Sequence, residues 1–311
     1  MYHIGIDLGG TNIAVGIVDD SGKIIAKDSI PTYAERDVKE IAADMAAISK
    51  HIAANAGIDL SEIKNIGIGC PGSIDSENGI VTYSNNIKME NVPLRDMIAE
   101  YFDNIPVHIE NDANAAAYGE YVVNGNGADS FVFITLGTGV GGGVIINKKL
   151  YRGFNGAGGE LGHMTLVSGG IKCTCGKEGC WESYGSVTAL IRMTKEAMKE
   201  NPSSAMNKWT EENGKVSGRT AFDCAKQGDS AAQEVVNRYI RYVADGVVSM
   251  VNIFQPDKVV IGGGISAEGE YLIAPVREYA KKYDFNKFMK KPDIEAATLF
   301  NDAGIIGAAM I

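Results

Sequence analysis

One local pattern, a glycine turn set between two apolar strands, occurs twice in this chain and limits what it can fold into. Ile4-Gly5-Ile6-Asp7-Leu8 leads through Gly9-Gly10-Thr11 into Asn12 to Val18, and Val132-Phe133-Ile134-Thr135-Leu136 leads through Gly137-Thr138-Gly139 into Val140 to Ile146. Alternation of period two on both sides of each turn reads as strand, tight turn, strand. Asp7-Leu8-Gly9-Gly10-Thr11 aligns with Thr135-Leu136-Gly137-Thr138-Gly139 without a gap. Solenoid units are far shorter than this separation, so the repeat implies two related domains facing one cleft. A length of 311 residues fits two domains.

The remaining segments extend the same grammar. A third strand is predicted at Lys23–Ala26, a helix near Val38–Ala56, strands at Ile66–Gly69 and Val107–Glu110, and a helix from Asp112 onward. A polar stretch, Asn201–Gly218, reads as a surface excursion. A helix around Ala231–Phe254 precedes the buried strand Lys258–Ile261 with its Gly262-Gly263-Gly264 turn, and an apolar helix, Asp302–Ile311, closes the chain. Helices alternating with strands give an α/β class. Glycine occurs 38 times, above the usual ~7%, and no collagen period absorbs the excess, which must serve local turns.

Charge and cysteine usage narrow the function. Basic residues number 29 against 39 acidic, a formal net of −10, which argues against gripping nucleic acid or an anionic membrane. No signal-peptide pattern opens the chain and no apolar run approaches the ~18 residues of a spanning helix, so a soluble, cytosolic protein is expected. Five cysteines, an odd number, do not suggest a disulfide framework.

Three clusters carry chemistry. Gly137-Thr138-Gly139-Val140-Gly141-Gly142 has the form G-x-G-x-x-G, but strand-like Gly143-Val144-Ile145-Ile146 follows it where a dinucleotide site needs a helix. The two hairpins instead offer backbone N–H groups to phosphate through Gly9, Gly10 and Gly139, with the Thr11 and Thr138 hydroxyls as further donors and Gly262, Gly263 and Gly264 as a third turn. Asp7, beside the first turn, is placed to hold Mg²⁺. Cys173, Cys175 and Cys180 gather three thiols within eight positions, and His163 lies ten residues upstream, a Cys₃His set for structural Zn²⁺. Cys70 and Cys224 read as small core residues. Asp112 opens an alanine-rich helix, where it is either an N-cap or an ionised group at the positive helix end.

Asp7-Leu8-Gly9-Gly10-Thr11, Asn111-Asp112-Ala113-Asn114-Ala115-Ala116, Leu136 to Gly142, Glu160-Leu161-Gly162-His163 and Cys173 to Glu182 together resemble, in order, the motifs of the ROK family of sugar kinases and sugar-responsive repressors. The likeness runs from residue 4 to about 310. It implies two ribonuclease-H-like domains of the actin-like ATPase type around a central ATP and sugar cleft, divided as 1–120 plus 295–311 and 121–294, and it implies a homodimer. It also implies that Asp112 is the general base and that Gly72, Asn86, Asn111, Glu160, His163 and Glu182 contact sugar, His163 serving zinc and sugar with its two ring nitrogens. The expected activity is ATP-dependent phosphorylation of a hexose 6-hydroxyl with Mg²⁺.

The stretch Ser84 to Leu94 departs from glucose-specific members, which carry a tryptophan near Met89. Glucose is the default substrate, while N-acetylmannosamine, N-acetylglucosamine, fructose and allose stay open. A sugar-responsive repressor is the competing class. It is disfavoured because the first phosphate hairpin begins at residue 4, leaving no room for a preceding helix-turn-helix, and because no basic footprint is present. A chaperone ATPase would not explain the cysteines.

Overall fold

The structure, a computed structural model, describes residues 1–311. Two compact units account for the chain: Met1–Phe131, Gly142–Gly159 and Thr298–Ile311 form the first, and Val132–Gly141 with Glu160–Ala297 the second. The strands are β1 (Tyr2–Leu8), β2 (Asn12–Asp19), β3 (Ile24–Pro31), β4 (Ile63–Cys70), β5 (Ser73–Asp75), β6 (Ile80–Ser84), β7 (Met89–Val92), β8 (Val107–Asn111), β9 (Ser130–Leu136), β10 (Val140–Ile146), β11 (Lys149–Leu150), β12 (Lys258–Gly262) and β13 (Asp293–Ala296).

Sheet order repeats as the glycine turns do. The first sheet runs β3-β2-β1-β4-β8 and the second β11-β10-β9-β12-β13, while β5-β6-β7 forms a small separate sheet. In the first sheet β1 pairs antiparallel with β2 and parallel with β4, which pairs parallel with β8. This is the ribonuclease-H-like arrangement. The parallel register sets Asp7 opposite Gly69 and Cys70 opposite Asn111, so both expected acidic positions of this unit lie at the carboxyl ends of β1 and β8, the two strands that flank β4, where α/β sheets bind ligands.

The core of the first unit follows from strand burial. Ile4, Ile6, Ile66 and Ile68 are almost wholly buried, each contributing about 1.5–3 kcal/mol. The closing helix, Asp302–Met310, is buried from Ala303 to Ala309 and packs on β1, β4 and the helix Asp112–Asn124. Its backbone approaches so closely that a Cβ on Gly5 would overlap the Ile305 carbonyl oxygen, and one on Gly67 that of Ala308.

In the second unit Trp181 is fully buried and donates Nε1–H to the Tyr242 carbonyl at 2.9 Å, which ties the cysteine loop to the helix Ser230–Phe254. The stretch expected as a surface excursion, Asn201–Gly218, is largely exposed and contains a helix, Ala205–Asn213. Ser204 caps it, Gly214 ends it at φ 78°, and only Met206 reaches the core, so its polar faces hid the period. The sequence reading also passed over the helix Glu270–Tyr283. No helix is long and apolar enough to cross a membrane.

Candidate functional site

In the first unit the site is a carboxylate pair at the sheet's carboxyl edge. The helix Asp112–Asn124 is capped by Asn111, whose Oδ1 accepts the N–H groups of Ala113 and Asn114 at 2.9 and 3.1 Å. Asp112 is therefore the first helical residue and not the cap. Its Oδ1 accepts the Ala113 N–H at 2.8 Å, and burial pushes its carboxyl above the usual range despite that bond. One Nδ2 proton of Asn111 goes to the Gly72 carbonyl at 3.0 Å, and the Asn111 side chain also bonds the Asp112 carboxylate. Burial first, and the charge of Asp112 second, raise Asp7 from 3.8 to about 6.

Two residues that sequence reasoning missed brace this corner. Glu110, almost wholly buried, accepts the Asn111 N–H and the Asn114 Nδ2–H, each at 3.0 Å, and pairs with Arg152 Nε at 2.5 Å. Thr32 holds the first hairpin turn, donating its N–H to the Thr11 carbonyl at 2.9 Å and its hydroxyl to the Gly9 carbonyl at 2.6 Å. Neither lies in a motif; each is brought in by strand pairing. Gly10 lies against Asn86, which is exposed, whereas Met89 is buried in β7. Gly72, at φ 113°, leaves no room for a side chain against the Tyr83 carbonyl.

In the second unit Thr138 and Gly264 line an open pocket of ≈ 710 Å³ together with Thr188, Ser217, Arg219 and Ile265. Gly139 forms the hairpin turn beside it. Gly263 adopts φ 84°, with no space for a Cβ against the Leu136 carbonyl, and Gly262 packs on the Phe133 ring. Of the three turn glycines, only Gly264 faces the pocket.

The cysteine loop assembles the set expected from spacing. His163 ends the short 3₁₀ turn Leu161–His163, preceded by exposed Glu160. Ligand atoms of His163, Cys173, Cys175 and Cys180 all lie within 4.8 Å of one another. Cys175 and Cys180 Sγ are 3.6 Å apart, and Cys173 Sγ is 3.7 Å from His163 Nδ1. A tetrahedron with Zn–S bonds of about 2.3 Å has edges of about 3.8 Å, so the four atoms fit a zinc ion. Because Nδ1 faces the thiols, Nε2 is the nitrogen left for a hydroxyl. Glu182 lies beside this cluster, its Oε1 3.6 Å from Cys173 Sγ and its Oε2 accepting the Val140 N–H at 3.0 Å.

Residues 3–311 match the ROK family profile, and the chain belongs to the ROK family. It is 40% identical over 310 residues to a glucokinase of Thermotoga maritima, covering 99% of this chain and 96% of that one. It is also 32% identical to a xylose repressor of Caldicellulosiruptor bescii, covering 98% of this chain and 76% of the repressor. Among solved structures it resembles a ROK family glucokinase from Streptomyces griseus in complex with glucose and AMPPNP, with a TM-score of 0.82, 34% identity, and coverage of 99% of this chain and 98% of that one.

Proposed function

We propose that this chain is an ATP-dependent glucokinase that transfers the γ-phosphoryl group of ATP to the 6-hydroxyl of glucose. The observation that carries the reading is the freedom of Asp112: Asn111 does the capping, so the Asp112 carboxylate is available to a substrate hydroxyl. Desolvation raises its basicity above that of an ordinary carboxylate, the direction a general base needs. Full-length likeness to glucokinases supports the choice of substrate.

In this reading the sugar-contact roles fall to Asn111 of the first unit and to Glu160, His163 and Glu182 of the second. Asn111 orients a ring hydroxyl, and Asp112 accepts the 6-hydroxyl proton as that oxygen attacks phosphorus. The products are ADP and the sugar 6-phosphate, and Asp112 returns its proton to water. Turn amides at Gly9–Thr11 and Gly137–Gly139 hold phosphate oxygens, and the ≈ 710 Å³ pocket takes the nucleoside. Phosphoryl transfer gains mostly from such positioning.

Asp7 is the group that would hold Mg²⁺: its raised pKa beside Asp112 marks uncompensated negative charge that a cation relieves. The ion supplies charge neutralisation for the phosphates. The Cys₃His cluster is structural, holding the loop that carries Glu160 and Glu182. With zinc bound, Cys173 would serve as a thiolate ligand, which would leave Glu182 Oε1 to accept a sugar hydroxyl. Reduced thiols in a Cys₃His set suit a reducing compartment, which supports a cytoplasmic reading.

A coupled ADP-release assay across glucose, fructose, allose, N-acetylmannosamine and N-acetylglucosamine tests this. Turnover highest on glucose is expected, and no turnover on any of them would sink the kinase reading.

A further inference from the structure

The two phosphate hairpins share a turn but not an anchor. Thr32, leaving β3, holds the first through Gly9 and Thr11. The second is held by the segment that leaves the cysteine cluster. Val187 donates its N–H to the Gly137 carbonyl at 2.8 Å, Thr188 its hydroxyl to the Thr138 carbonyl at 2.7 Å, and Glu182 Oε2 accepts the Val140 N–H at 3.0 Å. The fit at Gly139 is tight, since a Cβ there would overlap Glu182 Oε2. The other carboxylate oxygen lies 3.6 Å from Cys173 Sγ, so one side chain touches both the cluster and the turn.

We propose that Glu182 is a positioning residue for the nucleotide, joining the metal cluster to the second phosphate hairpin so that triphosphate affinity depends on it even when no sugar is bound. The proposal rests on the nucleotide reading of that hairpin. A turn whose amides must converge on phosphate binds well only when ordered beforehand, because ordering it on binding costs free energy that would otherwise appear as affinity. Glu182 supplies that order by fixing Val140, at the first residue of β10. Its negative charge, by contrast, opposes an incoming polyanion. Hydrogen bonding and charge thus act in opposite directions, and a conservative substitution separates them: Gln retains an oxygen acceptor and drops the charge, whereas Ala drops both.

Calorimetric titration of the full chain with AMPPNP and Mg²⁺, in the absence of sugar, provides the test, with zinc content measured on the same samples. Glu182→Ala is expected to raise Kd about tenfold, the equivalent of about 1.4 kcal/mol, while Glu182→Gln binds at least as tightly as the unchanged chain. Thr188→Val, which removes the bond to Thr138, is expected to weaken AMPPNP about threefold to tenfold and carries the test if Glu182→Ala fails to fold. About one zinc per chain is expected in all three variants, since none removes a ligand. A Kd unchanged in Glu182→Ala, or equally weakened in Glu182→Gln and Glu182→Ala, overturns the proposal while leaving the kinase reading intact. An unchanged chain that binds no nucleotide overturns both.

Discussion

The imidazole Nδ1 of His163 lies 3.7 Å from the Sγ of Cys173, ten positions further along the chain. With Cys175 exposed and Cys180 buried on the other side, the four side chains form a closed shell of the structural kind. Elemental analysis of the purified protein is expected to give about one zinc per chain, and Cys175→Ser to lose it. Because metal binding contributes directly to folding free energy, that variant should melt about 5–10 °C lower. A metal-free protein of unchanged melting temperature would rule the site out.

Asp112→Asn keeps the shape of the side chain and removes the proposed base. A loss of about 10²–10⁴ in kcat is expected, with glucose and AMPPNP dissociation constants changed no more than about threefold. Retention of a large fraction of kcat would remove Asp112 from the proton transfer.

The raised pKa of Asp7 has a definite sign in stability. Its folded-state value of about 6 lies above the ordinary 3.8, so between these values the folded chain binds more protons than the unfolded one. The contribution is fully present below about pH 4 and is lost as pH rises through about 6, by at most about 3 kcal/mol. Urea titrations across that range should show this fall, and it should shrink in Asp7→Asn or when millimolar Mg²⁺ is added. A slope identical in Asp7→Asn would exclude Asp7 as its source.

Arg152 pairs with Glu110 at 2.5 Å, and Glu110 braces the Asn111 corner. Removing the guanidinium leaves a buried carboxylate without its counter-ion. Arg152→Ala is expected to cost about 2 kcal/mol in denaturant titrations. Glu110→Gln in the Arg152→Ala background should recover part of that loss, and failure to recover any would mean the two residues are not coupled.

Gly5→Ala should destabilise by about 3 kcal/mol or more, because the new methyl would overlap the Ile305 carbonyl oxygen. Calorimetric melting measures it, and a shift within about 2 °C would show that the closing helix can move away from β1.

Much of the fold was legible because its signals are local. Strand periods flanking Gly9-Gly10 and Gly137-Thr138-Gly139 mark the hairpins wherever those residues occur, and β12 with its glycine turn follows the same rule. Thiol spacing marked the Cys₃His cluster, since four side chains within one loop need little from the rest of the chain. Asp112 was legible as a helix-start residue but not as an uncapped one. Which of Asn111 and Asp112 caps depends on backbone angles set by the pairing of β8 with β4.

The sequence by itself determined the repeated hairpin, the α/β alternation and the grouping of three cysteines with His163, all properties of short segments with their own turn chemistry. Only the tertiary structure decided what crosses long separations. It set Glu110 against Arg152, Thr32 against Gly9, Glu182 against Val140, and the closing helix against Gly5 and Gly67. Those last glycines carry no turn signal, because they are small for the sake of a helix backbone at Ile305 and Ala308, far along the chain. Close packing between distant segments leaves no periodic trace in either segment, and for that reason it had to be seen in three dimensions.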